Sequence, residues 1–221
     1  TQAPSLAPQS GTPEGDGVIV LDPATTYQSI VGIGSSFEHA TAYNLSLLDE
    51  AKRREVIERL IDPEKGIGMS MMRICIGTPD FAGDPWYTYN DLPEGETDPE
   101  LARFSIDKDR AYYLPTLKAA LEVNPDVRFV ASPWSPPAWM KTNKAIPAGR
   151  FDDTHFASYA QYFVKYLRAY EQEGIPIFAL TLQNEPDYPD PNYPTCYWTG
   201  EQQRDFIRDH VGPVFARENI K

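Results

Sequence analysis

The chain has 221 residues, of which 41% are hydrophobic, so it is long enough to bury one sizeable core. Its 32 acidic and 20 basic residues give a formal net charge of −12, which would repel polyanions. Composition therefore argues against nucleic acid and anionic membrane surfaces as partners. No run of about 18 apolar residues occurs, so the sequence predicts no membrane span. Cys75 and Cys196 predict no disulfide framework.

The N-terminal segment differs in composition from the rest of the chain. Residues 1–17 are rich in proline, glycine, serine and threonine, which predicts a flexible leader. Residues 18–21 follow as a short apolar run and predict one strand. No signal-peptide pattern is visible in this sequence. The alternative for this segment is the residue of a processed precursor, and our expectation is a secreted or periplasmic protein.

From there on, apolar runs alternate with segments of helical periodicity, which indicates repeated βα units. The predicted strands cover residues 29–33, 69–76, 128–131 and 177–182, and they are apolar enough to be buried parallel strands. Four such units predict the first half of a (β/α)8 TIM barrel, which needs eight units in about 250 residues. A doubly wound sheet of four units is the alternative that periodicity leaves open.

Four helices follow from apolar spacing and capping signals. The first begins at Ser46, in a sequence close to a capping box, and the second covers about 107–124. The third carries an aromatic stripe over residues 156–170. The fourth begins at Thr199 and is interrupted by Pro213.

In parallel α/β folds, the loops after the strands carry function, so polar residues at strand ends are the first candidates. After the fourth predicted barrel strand, Asn184 and Glu185 place an amide and a carboxylate directly beyond an apolar run. Partial desolvation there would raise the pKa of Glu185 and suit it to donate a proton near neutral pH. The alternative is that Glu185 is a turn residue before Pro186.

After the third predicted strand, three prolines stiffen the loop 132–141, which contains Trp134 and Trp139. Rigid tryptophans at a strand end form a platform for a sugar ring, or else they cover the mouth of the barrel as apolar residues. The spacing leaves both interpretations open.

Beyond the second predicted strand, two charged residues are candidates. Arg73 lies within the apolar run and is predicted to be a buried structural cation that needs a partner. Asp80 either bonds sugar hydroxyls or caps the turn at Pro79.

The first predicted strand runs into residues 32–37, whose two glycines do not complete a dinucleotide fingerprint. Glu38 and His39 follow, and we expect them to support a site rather than to face solvent. His39, His155 and His210 are far apart and form no metal-binding motif. The sequence therefore predicts neither a metal nor another cofactor.

Taken together, five motifs resemble glycoside hydrolase family 30, which includes lysosomal glucosylceramidase and microbial β-1,6-glucanases. They cover residues 32–37 (Gly-Ile-Gly-Ser-Ser-Phe), 72–81 (Met-Arg-Ile-Cys-Ile-Gly-Thr-Pro-Asp-Phe), 132–141 (Ser-Pro-Trp-Ser-Pro-Pro-Ala-Trp-Met-Lys), 183–186 (Gln-Asn-Glu-Pro) and 203–207 (Gln-Arg-Asp-Phe-Ile). The resemblance extends from about residue 17 to residue 221.

This resemblance implies a retaining hydrolase that acts on a β-glucoside, a β-glucan or a glycolipid, with a link to sphingolipid metabolism in the glucosylceramidase case. By this resemblance, Glu185 is the general acid/base and Asn184 bonds the 2-hydroxyl of the sugar. Asp80 and Trp134 hold the other hydroxyls of that sugar. The supporting residues are Arg73, Trp139 and Glu38.

The resemblance also implies what these residues do not supply. In the family the nucleophile is a Glu after the seventh strand, which lies beyond residue 221. Residues 18–28 correspond to the N-terminal strand of a β-sandwich beside the barrel, and residues 29–221 to the first barrel half. An unpaired strand predicts a free molecule that is unstable or prone to aggregation, and therefore a fragment or truncation. The alternative function is an inactive carbohydrate-binding fragment.

Overall fold

A computed structural model describes residues 10–11, 17–83 and 85–220. The chain divides into two compact units, Thr1–Ile30 and Val31–Lys221. Most of the predicted leader lies outside the described residues.

In the first unit, the described residues 17–30 form no strand, so the strand predicted for residues 18–21 is wrong in this structure. Ile19 and Val20 are 86% and 82% exposed. A strand requires a neighbour to accept its backbone hydrogen bonds, and the apolar run finds none among the described residues. The assignment of residues 18–28 to a side β-sandwich stays a prediction.

The second unit is built around a parallel sheet of three strands. They are β1 (Met71–Ile76), β2 (Arg128–Pro133) and β3 (Ile177–Leu180), in the order β1-β2-β3. Three of the four predicted barrel strands are therefore confirmed, with small shifts of their ends. Parallel order brings the carboxyl ends of the strands, and the loops after them, to one edge.

The first predicted barrel strand is displaced by about four residues. Residues 33–37 run beside β1 rather than residues 29–33, because Arg73 N donates to Ser35 O and Phe37 N donates to Arg73 O, both at 2.9 Å. Gly34 allows the backbone to approach β1 closely, because a Cβ at this position would lie 1.5 Å from the carbonyl oxygen of Met71. Close backbone contact, rather than apolar periodicity, sets the position of this segment.

The first helical region consists of two helices, α1 (His39–Ser46) and α2 (Glu50–Ile61). The helix predicted to begin at Ser46 therefore begins later, and Ser46 ends α1 instead. The carboxylate of Asp49 is the cap, since it accepts from Lys52 N at 2.8 Å.

The second predicted helix begins later than residue 107. A 3-10 turn at Asp107–Ala111 precedes α3 (Tyr113–Val123). Pro115 is tolerated because it lies in the first turn of α3, where backbone N–H groups have no partner within the helix.

The aromatic helix is confirmed as α4 (Phe156–Gln172). The capping box at Thr199 begins α5 (Gly200–Phe206) as predicted. Pro213 does not end the helical region: a π-helical segment, Ile207–Val211, leads into α6 (Gly212–Arg217), whose first turn accommodates the proline.

The core lies between the sheet and the inner faces of the helices. Its largest fully buried side chains are mostly aromatic, and several come from α4 and the segments that pack on it: Tyr159, Phe163, Phe151, Trp198 and Phe206. None of the described helices is both long and apolar enough to cross a membrane.

Candidate active site

The candidate site lies at the carboxyl edge of the sheet, where the loop after β3 meets the end of β2. Asn184 N donates to Pro133 O at 2.8 Å, which fixes the start of this loop to the neighbouring strand. Gln183 is buried, and its Nε2 donates to the carbonyl oxygens of Trp134 and Asn184 at 2.6 and 2.8 Å. The turn that presents Glu185 is therefore tied at two points to the end of β2 and the residue after it.

The backbone of Glu185 is strained. Its φ angle is +45°, in the left-handed region that residues with a Cβ seldom adopt, and Pro186 follows it. Such outliers persist only where the surroundings impose them, and they cluster at functional sites. The side chain is exposed, so the desolvation predicted from sequence is not provided by the described residues.

Arg73 organises the neighbouring polar groups. Its Nη2 donates to Asn184 Oδ1 at 2.7 Å and to Ser132 Oγ at 2.9 Å, and the guanidinium lies 4.5 Å from the ring centroid of Trp134. The partner predicted for Arg73 is thus a set of neutral oxygens and an aromatic face. Since Arg73 can only donate, Asn184 must turn its Oδ1 toward it, and its Nδ2 group points elsewhere as a donor.

The two tryptophans are nearly buried, with 4% of Trp134 and 5% of Trp139 exposed. Trp139 Nε1 donates to Asn90 Oδ1 at 2.7 Å, and its ring contacts His155 edge-on. Burial favours the alternative of apolar cover over that of a sugar platform for both tryptophans among the described residues. Trp134 adjoins the polar cluster through Arg73.

Glu38 is half-buried and held on both oxygens. Oε1 accepts from Ser36 Oγ at 2.6 Å, and Oε2 accepts from the Cys75 thiol at 3.0 Å. Burial, reinforced by the charge of Glu38, raises the pKa of Cys75 well above its ordinary value, so the thiol remains a donor. This geometry favours a supporting role for Glu38. His39 instead lies in the core, fully buried.

Sequence comparison supplies the decisive observation: residues 30–221 match the TIM-barrel domain of glycosyl hydrolase family 30. The chain belongs to this family. Membership decides between the two architectures left open by periodicity, in favour of the TIM barrel.

Relatives similar to this chain are named for two different substrates, a β-1,6-glucan and glucosylceramide. An endo-1,6-β-D-glucanase of Aspergillus fumigatus is 34% identical over 209 residues, which cover 87% of this chain and 42% of the relative. A putative glucosylceramidase of Caenorhabditis elegans is 32% identical, with coverages of 90% and 39%. A solved endo-β-1,6-glucanase superposes with a TM-score of 0.82 at 33% identity, covering 90% of this chain and 44% of that structure. The chain thus spans less than half the length of these relatives.

Tyr193 is one of four aromatic residues in the loop 188–198, which the sequence offers either as an apolar patch for a lipid substrate or as the lining of a glucan groove. Burial raises the pKa of its phenol, followed by the charges of Glu185 and Asp190 and, more weakly, of Asp80. Glu185, Asp190 and Asp80 are therefore all near enough to this phenol for their charges to disfavour its ionisation. The sequence marks Tyr193 only as an aromatic residue of this loop, and the influence of the carboxylates on its phenol arises from the fold.

Among the described residues, no cluster of three or more His, Cys, Asp or Glu side chains is arranged to hold a metal ion. The available chemistry at this edge of the sheet is therefore that of a carboxylate, an amide, a guanidinium and a phenol.

Proposed function

We propose that this chain carries the acid/base half of the active site of a retaining β-glycosidase. The observation that supports this best is the position of Glu185, which stands on a strained turn beside an amide that Arg73 orients. A carboxyl group beyond a barrel strand can reach a glycosidic oxygen bound at the edge of the sheet.

In the proposed mechanism, Glu185 protonates the leaving oxygen while a second carboxylate, about 5 to 5.5 Å away, attacks the anomeric carbon. Glu185 then takes a proton from the water that releases the sugar, so the anomeric configuration is retained. The Nδ2 group of Asn184 would donate to the 2-hydroxyl, a bond that strengthens in the transition state. The proposal places the nucleophile outside these 221 residues.

We propose a β-1,6-glucan as substrate. Three fungal relatives named endo-1,6-β-D-glucanases are 33–34% identical to the chain, and relatives named glucosylceramidases are 29–33% identical. The two groups have a β-linked glucose in common, so a glycolipid is the alternative that a direct comparison of substrates tests. A secreted or periplasmic location is part of the same proposal, since it gives access to a polymer.

Proton NMR during hydrolysis tests the mechanism. The longest natural chain containing these residues should release the β-anomer first from β-1,6-linked gluco-oligosaccharides, and more slowly, if at all, from glucosylceramide. Glu185→Gln should lower kcat by about 10² to 10⁴ on poor leaving groups, because it removes a proton donor. Glu201→Gln, an exposed change in the first turn of α5, is the matched control.

Either of two results would contradict the proposal: early release of the α-anomer, or full activity of the Glu185→Gln variant. Saccharide binding without any turnover, also in the longest natural chain, would instead support the alternative of an inactive carbohydrate-binding protein.

A further inference from the structure

The loops that follow β2 and β3 interlock beside the candidate site. Pro147 pairs with Pro194 in an antiparallel bridge, and Phe151 N donates to Tyr197 O at 3.3 Å. The first loop begins next to Trp134, while the second contains the candidate acid/base. The two loops are therefore packed against each other beside the candidate site.

Lys141 lies where these two loops meet, and its side chain is fully buried. Its Nζ donates to Ser135 Oγ at 3.0 Å, to Ile146 O at 2.5 Å and to Thr195 O at 2.6 Å. Ser135 and Ile146 belong to the loop after β2, whereas Thr195 belongs to the loop after β3. All three N–H groups of the ammonium are thus used, and one of them joins the loops.

No carboxylate of the described residues forms an ion pair with Lys141. Burial lowers its pKa to about 8, and the neighbouring Cys196 thiol opposes this shift. A buried cation without a counter-ion is costly, and a methionine would fill similar space without the desolvation. We therefore attribute the presence of a charged residue at this buried position to its hydrogen bonds and to the loop spacing that they fix.

The anchors of Lys141 adjoin residues of the candidate site. Ser135 directly follows Trp134, and Thr195 is two residues beyond Tyr193, whose phenol is near enough to Glu185 for that charge to help raise its pKa. Because a general acid reaches the oxygen of the leaving group, the loop that carries it borders the leaving-group side of the cleaved bond as well as the side of the retained sugar. Lys141 thus connects the Trp134 side of the site with the Tyr193 side.

We infer that Lys141 is a positioning residue that sets the distance between these two loops and thereby the fit of the aglycone, the part of the substrate that leaves. This inference rests on the proposed glycosidase function. The bonds of Arg73 to Asn184 and Ser132 do not involve Lys141. A change at Lys141 should therefore affect substrates with a sugar as leaving group and spare substrates with a small activated one.

The test is Lys141→Met in the longest natural chain, assayed on a nitrophenyl β-glucoside and on a β-1,6-linked gluco-oligosaccharide. We expect kcat/KM for the oligosaccharide to fall about tenfold, mainly through KM, because misplaced binding groups weaken positioning. The value for the nitrophenyl glucoside should stay within about threefold. Lys141→Arg, which keeps a charged donor, should recover part of the loss.

Lys165→Met is the matched control, since Lys165 also donates to a backbone carbonyl, that of Leu101 at 2.8 Å, but from α4. It should leave the ratio between the two substrates unchanged. An equal loss on both substrates, or no loss, in Lys141→Met would overturn the inference while leaving the glycosidase function in place. An unmodified chain that hydrolyses neither substrate would overturn the proposed function instead.

Should Lys141→Met fail to fold, Ser135→Ala provides the second measurement, because it removes a single acceptor of the ammonium. A loss of about threefold confined to the oligosaccharide would support the inference. An unselective effect would overturn it.

Discussion

Two carboxylates show how differently this chain treats charge in its core and at its sheet edge. Asp109 is fully buried and accepts from the hydroxyls of Tyr87, Tyr89 and Tyr170 at 2.5, 2.6 and 2.6 Å. Glu185 is exposed, and its backbone has a φ angle of +45°. The first carboxylate is surrounded by donors on relaxed backbone, whereas the second is left accessible on strained backbone.

The difference separates a structural charge from a candidate catalytic one. Three hydroxyl donors stabilise a buried carboxylate, and burial keeps substrate from reaching it. Burial, followed by the charge of Asp109, raises the pKa of both Tyr89 and Tyr170 well above the ordinary value, so these hydroxyls stay protonated donors. Burial alone therefore does not distinguish a candidate catalytic carboxylate in this chain, and the proposed role of Glu185 rests on its position at a strand end.

The largest effect that would sharpen this comparison is expected for Asp109→Asn. The amide presents N–H donors to hydroxyls that must themselves donate, so the free energy of unfolding should fall by about 2 to 3 kcal/mol. Urea titration measures this. Asp107→Asn, in the same 3-10 turn but exposed, should change the value by less than about 0.5 kcal/mol. Similar losses in the two variants would contradict the structural role of Asp109.

Part of the fold was predictable because local signals and tertiary packing agree. The aromatic stripe of α4, the capping box at Thr199 and the apolar runs of β1 and β2 all appear where the sequence places them. The first barrel strand lies elsewhere than predicted. Its prediction rested on the apolar residues 29–33, whereas the close backbone contact at Gly34 fixes which residues run beside β1. A steric requirement of this kind leaves no periodic signal.

The candidate site likewise contains residues that the sequence could predict and others that it could not. Asn184 and Glu185 were predictable, since both follow an apolar run at a position where parallel sheets carry function. The bond from Arg73 to Asn184 joins residues 111 positions apart, and nothing in the local sequence indicates it. Lys141 resembled any surface lysine, because its burial arises only when two loops pack together.

Lys141 extends the comparison to a buried cation, and its pH dependence gives the next effect. Its folded-state pKa of about 8 lies below the ordinary value of 10.5, so the folded chain binds fewer protons than the unfolded chain between these values. Its contribution to the free energy of unfolding should therefore rise with pH, by about 1 kcal/mol from pH 8 to pH 9.

The pH range from 8 to 9 is chosen because it does not exceed 9.0, the ordinary pKa of the Cys196 thiol. The folded-state pKa of this thiol is raised to about 12, so its contribution to the free energy of unfolding falls as pH rises and would oppose that of Lys141 at higher pH. The measurement is the difference between the unmodified chain and Lys141→Met in urea titrations at both pH values. A difference that is constant with pH would show that the ammonium of Lys141 is no less stable in the fold than in water.

The smallest effect returns to the strained turn at Glu185. Glycine adopts a φ angle of +45° without steric cost, so Glu185→Gly should raise the free energy of unfolding by about 0.5 kcal/mol while it abolishes acid/base catalysis. Glu185→Ala is the matched control, because it removes the carboxylate but keeps the Cβ that causes the strain, and it should bring no such gain. If glycine and alanine gave the same stability, the backbone at Glu185 would hold no strain, and its contrast with Asp109 would rest on exposure alone.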